Sequence, residues 1–302
     1  MEYSFQKDIG GRREQQDSVG IFRLEEQTFM VVADGMGGHE GGALASSTLL
    51  KIAENQFLFH NNSVIESPKE FFNTIIEKTQ EELGVLAQKE NLDPNTTVIF
   101  ALIIKNRLYY SYIGDSRLYL FEEKKRLIFR TRDHSLPEML FQNNKISEKE
   151  IATHSQQNVL TKSIGVDSLD QADYGEIKLG RFKNYRILLA SDGLWAMIKE
   201  EELYHELFSE HPIDISTKKL LKVAKHRGGE SGDNISIATL AITRRKVSLF
   251  SLIGAFFLTI LALGAIYSFF SSSITPLEQK SEKNSTEENK TEIVDTIRWT
   301  TG

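Results

Sequence analysis

Cysteine is absent from this 302-residue chain. That excludes disulfide staples, thiolate zinc sites, iron–sulfur clusters and any cysteine nucleophile. An excess of basic charge is also missing, since 36 Lys and Arg stand against 42 Asp and Glu for a formal net charge of −6. A protein that holds nucleic acid through bulk basic charge is thereby disfavoured. Met1 to Gly11 has no apolar stretch, so no signal peptide is expected there. With 40% apolar and 26% charged residues, the composition is neither that of a disordered chain nor that of a collagen.

Long hydrophobic runs are confined to one place. Residues 247–270 read VSLFSLIGAFFLTILALGAIYSFF without a charge. As a helix they would span about 36 Å, against a hydrocarbon core of roughly 30 Å. Arg244, Arg245 and Lys246 precede the run, and the next basic residues are Lys280 and Lys283. The positive-inside bias would keep the N-terminal part in the cytoplasm and send the tail across. The expected organisation is one large domain over 1–243, a basic stop at 244–246, a transmembrane helix over 247–270 and a polar, disordered tail over 271–302.

Within 1–243, short apolar, β-branched runs at 28–33, 97–104, 108–113, 118–121, 186–190 and 235–242 predict buried strands. Helical patterns lie at 42–57, 68–88, 200–207 and 215–226, with Pro68 in a first-turn position. Strand pairs precede and follow two helices, which favours a layered α+β fold over a regular βαβ alternation.

Aspartates recur where these strands end. Asp34 closes TFMVVAD, Asp192 closes RILLASD, Asp115 sits in a turn between two strands, and Asp233 directly precedes ISIATLAI with Asn234. Asp17 is a fifth. A lone Asp in such a place is commonly a turn former or helix cap. Several in one pocket repel one another unless cations neutralise them, and oxygen donors suit Mg²⁺ or Mn²⁺. The loop Gly35-Met-Gly-Gly-His39 lacks both the GK[ST] ending of a P-loop and the GxGxxG spacing. Its glycines instead let the backbone approach closely, so that the Gly35 carbonyl could face a metal. Arg12 and Arg13 are either solvated charges or a fork of donors for a phosphate dianion. His39 is either a plain loop histidine or a proton donor.

Taken in order, Arg12…Gln16-Asp17, VVADGMGGH (31–39), Thr96-Thr97, IGDSRLYL (113–120), DHS (133–135), NVLTKSIG (158–165), LLASDGLW (188–195) and GDNIS (232–236) resemble the bacterial branch of the type 2C metal-dependent protein serine/threonine phosphatases. The resemblance implies an antiparallel β-sandwich flanked by helices in four α-β-β-α layers, to which the transmembrane helix is appended. It implies two Mg²⁺ or Mn²⁺ ions at one edge, with Asp34 bridging, the Gly35 carbonyl on one ion, and Asp192 and Asp233 on the other. Asp17 would reach a metal through water, and Asp115 with Asp192 would hold a third ion. Arg12 corresponds to the phosphate-binding arginine, and 135–163 to a flap that shapes substrate access. Met36 occupies the place of the general-acid histidine of eukaryotic members, leaving His39 or water as donor. Gln15 stands where many relatives have Asn, and Gln16 where eukaryotic members carry an acidic metal ligand and bacterial members often have Gln or Glu.

The implied reaction is in-line attack on phosphoserine or phosphothreonine by a hydroxide bridging two ions, which also meets the lack of cysteine. Substrates would be cytoplasmic phosphoproteins, with a cognate membrane serine/threonine kinase as a further partner. The location would be a bacterial inner membrane, with the tail outside and the bilayer contacted through 247–270. The alternative is a catalytically silent, phosphatase-like sensor or scaffold. A nuclease-like phosphoesterase is disfavoured by the net charge of −4 over the chain up to residue 246.

Overall fold

The computed structural model describes residues 1–36, 39–60, 63–151, 153–166, 171–244 and 249–274, with only the backbone described at 39, 148, 249–256 and 272–274. In chain order the elements are β1 (Glu2–Asp8), β2 (Asp17–Leu24), β3 (Gln27–Met36), α1 (His39–Phe59), α2 (Pro68–Glu90), β4 (Asn95–Thr96), β5 (Val98–Ile104), β6 (Arg107–Ile113), β7 (Arg117–Glu122) and β8 (Arg126–Arg130). There follow α3 (Leu136–Gln142), α4 (Glu148–Ile151), β9 (Asp173–Lys178), β10 (Tyr185–Ala190), α5 (Asp192–Trp195), α6 (Glu200–Leu207), α7 (Ile213–Gly228), β11 (Ile235–Ile242) and α8 (Leu249–Ile274).

Uninterrupted apolar runs become strands because both of their faces are covered. In β3, Phe29, Val31 and Ala33 pack with α1 and α2, whereas Met30 and Val32 face the opposing sheet. Strand β5 divides in the same way, with Phe100 and Leu102 on one side and Ile99, Ala101 and Ile103 on the other. One sheet runs β2-β3-β5-β6-β9, with β4 added on β3, and the other runs β1-β11-β10-β7-β8. Neighbouring strands are antiparallel. A third apolar layer joins Leu188, Ala190, Ile235 and Ile237 to Leu203, Leu207 and Leu220 of α6 and α7. The result is the four-layer α-β-β-α sandwich implied by the resemblance.

Strands β1, β2, β8 and β9 lie outside the apolar runs. In β1, Tyr3 and Phe5 are exposed while Ser4 is buried, so this edge strand reads as polar chain. Its position comes from pairing with β11, in which Glu2 faces Ala241 and Asp8 faces Ile235.

The chain divides into two units, Met1–Arg244 and Arg245–Gly302. In the second, α8 is a continuous helix whose described side chains, 257–271, are all exposed. Among the described residues no helix is long and apolar enough to cross a membrane. The transmembrane helix expected over 247–270 therefore has no support from the described residues, and 271–302 falls almost wholly outside them.

Candidate active site

Strand pairing brings the acidic residues to one end of the sandwich. Asp17 opens β2 and Asp34 lies near the end of β3, and the antiparallel register sets them directly opposite each other. Asp115 lies in the β6–β7 turn, Asp192 begins α5 immediately after β10, and Asp233 lies just before β11. Because β10 pairs with both β7 and β11, with Ala190 facing Arg117 and Ile237, the last three are neighbours at the same end. A cavity of about 220 Å³ there is lined by Asp34, Gly35, Asp115, Asp192, Asp233 and Arg12, with Met36, Thr97, Asn158 and Leu160 also on its wall.

These carboxyls are under electrostatic strain. Asp17 and Asp115 are buried, and Asp34 and Asp192 partly so. Burial, followed by the charges of Asp17, Asp192, Asp115 and Asp233, holds the Asp34 carboxyl well above the ordinary aspartate range. Asp192 is raised in the same direction by burial and then by Asp115, Asp233 and Asp17. Burial lifts Asp17 to about 6 against the hydrogen bond donated by Ser191. Burial and the Asp133 charge lift Asp115 to about 7, with Arg117 opposing. Like charges placed opposite each other across a strand pair are destabilising.

Among the described residues no group of three or more acidic or histidine side chains is arranged to hold a metal ion as it stands. The donor set nevertheless fits a hard divalent cation. Its members are carboxylate and carbonyl oxygens around one cavity, and Asp17 Oδ1 and Asp192 Oδ1 are buried without a hydrogen-bond partner. Orphaned buried oxygens carry a desolvation cost that a cation would relieve. Arg12 Nη2 donates to Asp233 Oδ2 at 2.6 Å. This half-exposed guanidinium therefore pairs with an expected ligand rather than standing free for phosphate.

Backbone contacts explain why the loops hold their shape. Asn234 accepts from Gln16 N at 2.7 Å and donates to the carbonyls of Ile9 and Glu14 at 2.8 and 3.0 Å, clamping the loop that carries Arg12. Ser191 Oγ donates to Asp17 Oδ2 at 2.7 Å and accepts from Ser236 N at 2.9 Å, joining two strand ends beneath the acids. Gln15 Oε1 accepts from Asp17 N at 3.0 Å. The Asp34 carbonyl accepts from Thr97 N at 2.8 Å and from Thr96 Oγ1 at 3.0 Å. A Cβ on Gly35 would come within 2.0 Å of the Gly42 carbonyl oxygen, so the glycine is required by the approach of α1 to β3. Gly35 nevertheless also lines the cavity.

Arg12, Asp34, Gly35, Asp115, Asp192 and Asp233 thus line one cavity, and Asp17 lies opposite Asp34 in the strand register. The His39 side chain falls outside the described residues, although its backbone begins α1. In the segment 135–163, Leu136 N donates to the Val159 carbonyl and Thr161 N to that of His134, each at 2.8 Å. That pairing turns Asn158 and Leu160 toward the acids. Asn158, Ser191 and the clamping role of Asn234 were not singled out by sequence reasoning. All three lie within or beside the motifs, but nothing in a linear pattern shows which polar side chain faces inward.

The comparisons with known proteins agree with this geometry. The protein phosphatase 2C family model matches residues 9–222. Protein phosphatase PhpP of Streptococcus pneumoniae is 32% identical over 247 residues, covering 80% of this chain and 98% of that protein. The serine/threonine phosphatase Stp1 of Staphylococcus aureus is 29% identical with a TM-score of 0.71, over 80% of this chain and 94% of that one. The catalytic domain of the phosphatase PstP, crystallised with two manganese ions, shares the fold at 22% identity and a TM-score of 0.68, over 80% of this chain and 98% of its own. A match from the Arg12 loop to within α7, together with a relative covered almost end to end, places the chain in the protein phosphatase 2C family as a protein-serine/threonine phosphatase.

Proposed function

We propose that the chain removes phosphate from phosphoserine and phosphothreonine of cytoplasmic proteins with the help of divalent cations, Mg²⁺ or Mn²⁺. The observation that carries this reading is the convergence of Asp34, Asp115, Asp192 and Asp233 around one small cavity, with Asp17 directly opposite Asp34, where burial and mutual repulsion hold the Asp34 carboxyl well above its ordinary range. Asp34, the Gly35 carbonyl, Asp192 and Asp233 would hold two ions, Asp17 would act through water, and Asp115 with Asp192 would take a third. Bound there, such ions would supply an acidified water and positive charge against the phosphoryl oxygens.

The chain's own groups do the rest. With Asp233 committed to a cation, the Arg12 fork would be available to orient a phosphate dianion. The Asn234 clamp fixes the loop from which Arg12 reaches. Asn158, Leu160 and Met36 also line the cavity, and Met36 offers no proton to the leaving residue, which leaves that role to His39 or to solvent. The test is hydrolysis of a phosphothreonine peptide with and without Mn²⁺. Asp192→Asn is expected to lower kcat/KM at least about 100-fold, a loss of roughly 2.7 kcal/mol of transition-state stabilisation. Activity independent of added metal, or undiminished in Asp192→Asn, would refute it. Measurable turnover by the parent chain also separates this reading from a silent scaffold.

We further propose that 247–270 anchors the enzyme in a membrane with the catalytic unit on the cytoplasmic side, near membrane-bound kinases. Support comes from the uncharged run, its helical backbone over Leu249–Ile274, and the basic residues 244–246 before it.

A further inference from the structure

Arg117 is a buried cation that the proposed chemistry does not use. Its side chain is 6% exposed and that of Asp133 2%. Nε donates to Asp133 Oδ1 at 2.8 Å and Nη2 to Oδ2 at 2.6 Å, a bidentate pair, while Nη1 donates to the Tyr119 hydroxyl at 3.2 Å. The guanidinium lies 3.5 Å from the centre of the Trp195 ring. The indole N–H of Trp195 in turn donates to the Asp115 carbonyl at 3.1 Å.

Two acid-bearing elements meet at this stack. Trp195 belongs to α5, whose first residue is Asp192, and Arg117 opens β7 two residues after Asp115. The turn that carries Asp115 is held from below as well. Ser116 Oγ pairs with Thr97 Oγ1 at 2.8 Å, and Gly114 exchanges hydrogen bonds with His134, the neighbour of Asp133. A buried ion pair adds little net stability over a well-packed apolar group, since desolvation offsets the attraction. What a planar, bidentate, stacked guanidinium does supply is geometry.

We propose that Arg117, Asp133 and Trp195 form a positioning cluster that sets the separation of Asp115 from Asp192, and so tunes the affinity of the cavity for the divalent cation those two share. This rests on the reading of the cavity as a divalent-cation site. Arg117 touches neither substrate nor cation in this scheme. It acts through the Trp195 ring and the Asp115 backbone, as outer partners of metal ligands do in general.

The experiment counts Mn²⁺ bound to the full-length chain by electron paramagnetic resonance of the free ion, beside the Mn²⁺ dependence of phosphopeptide hydrolysis. Trp195→Phe keeps an aromatic face and removes the N–H, and Arg117→Lys keeps the charge and removes the fork. Each is expected to weaken the ion that Asp115→Ala loses by about 10–100-fold and to leave the other ions and the phosphopeptide KM at saturating Mn²⁺ unchanged. In an Asp115→Ala background, Trp195→Phe is expected to cause no further loss, because the residue it acts through is gone. Variants that keep the parental melting temperature and bind every ion as the parent does would overturn the proposal. So would a loss that persists undiminished in the Asp115→Ala background. A parent chain that binds no Mn²⁺ would overturn the cation reading itself, and the positioning role with it.

Discussion

Asp17 and Asp34 face each other across β2 and β3, and their meeting has a consequence for stability. In the metal-free chain Asp17 titrates at about 6 and Asp115 at about 7, against 3.8 for an ordinary aspartate. Between those values the folded state holds protons that the unfolded chain has released. Stability from these groups is thus fully present below about pH 4 and is lost as pH rises through 6 to 7. The melting temperature in chelator is expected to fall between about pH 5 and pH 8, and saturating Mn²⁺ to flatten or reverse that slope, since ligand binding to the folded state opposes it. Calorimetry across that range checks this, and equal slopes with and without Mn²⁺ would contradict it. At this scale the sequence was informative: each proposed ligand stood at a strand end or turn. The Asn234 clamp was not legible, because its meaning lies in three backbone groups 218 to 225 residues away, at Ile9, Glu14 and Gln16.

The elements owe their placement to apolar faces rather than to local propensity. Phe29, Phe57, Phe71, Phe72 and Phe100 meet between the β2-to-β9 sheet and the helix pair α1–α2, and Phe72 stacks on Phe100 with centroids 5.4 Å apart. Phe100→Ala is expected to cost about 3–5 kcal/mol, because a closed aromatic cluster cannot collapse into the space left behind. Chemical denaturation of the catalytic unit measures it, and a loss under about 1 kcal/mol would show that the layer is looser than its packing indicates. The central strands β3, β5, β10 and β11 were legible as apolar runs since both their faces are buried. Edge strands β1 and β9 were not, since half or more of each is open to water and alternation is weak. The four-residue helix α5 was also invisible, since one turn is too short to establish a period.

On the scale of the whole molecule, the catalytic unit closes on itself at Arg244, and α8 belongs to the other unit. If 247–270 anchors the enzyme, the full chain should stay in the membrane pellet after an alkaline carbonate wash, while residues 1–244 should appear in the supernatant and still hydrolyse the phosphopeptide. Recovery of the full chain in the supernatant would end the anchoring proposal. Tethering would matter by raising the effective concentration toward a membrane-bound substrate to roughly millimolar without a new contact.

By itself the sequence determined the chemistry available: no thiol, several oxygen donors at strand ends, and one uncharged run of 24 residues. Residue type and local period are readable from a line of letters, because each depends on near neighbours. Only the tertiary structure decided which donors share a cavity, that Arg12 rests on Asp233, and that Trp195 ties α5 to the turn of Asp115. Those relations depend on strand register and packing between residues far apart in the chain, where one residue's slip would turn each side chain to the opposite face.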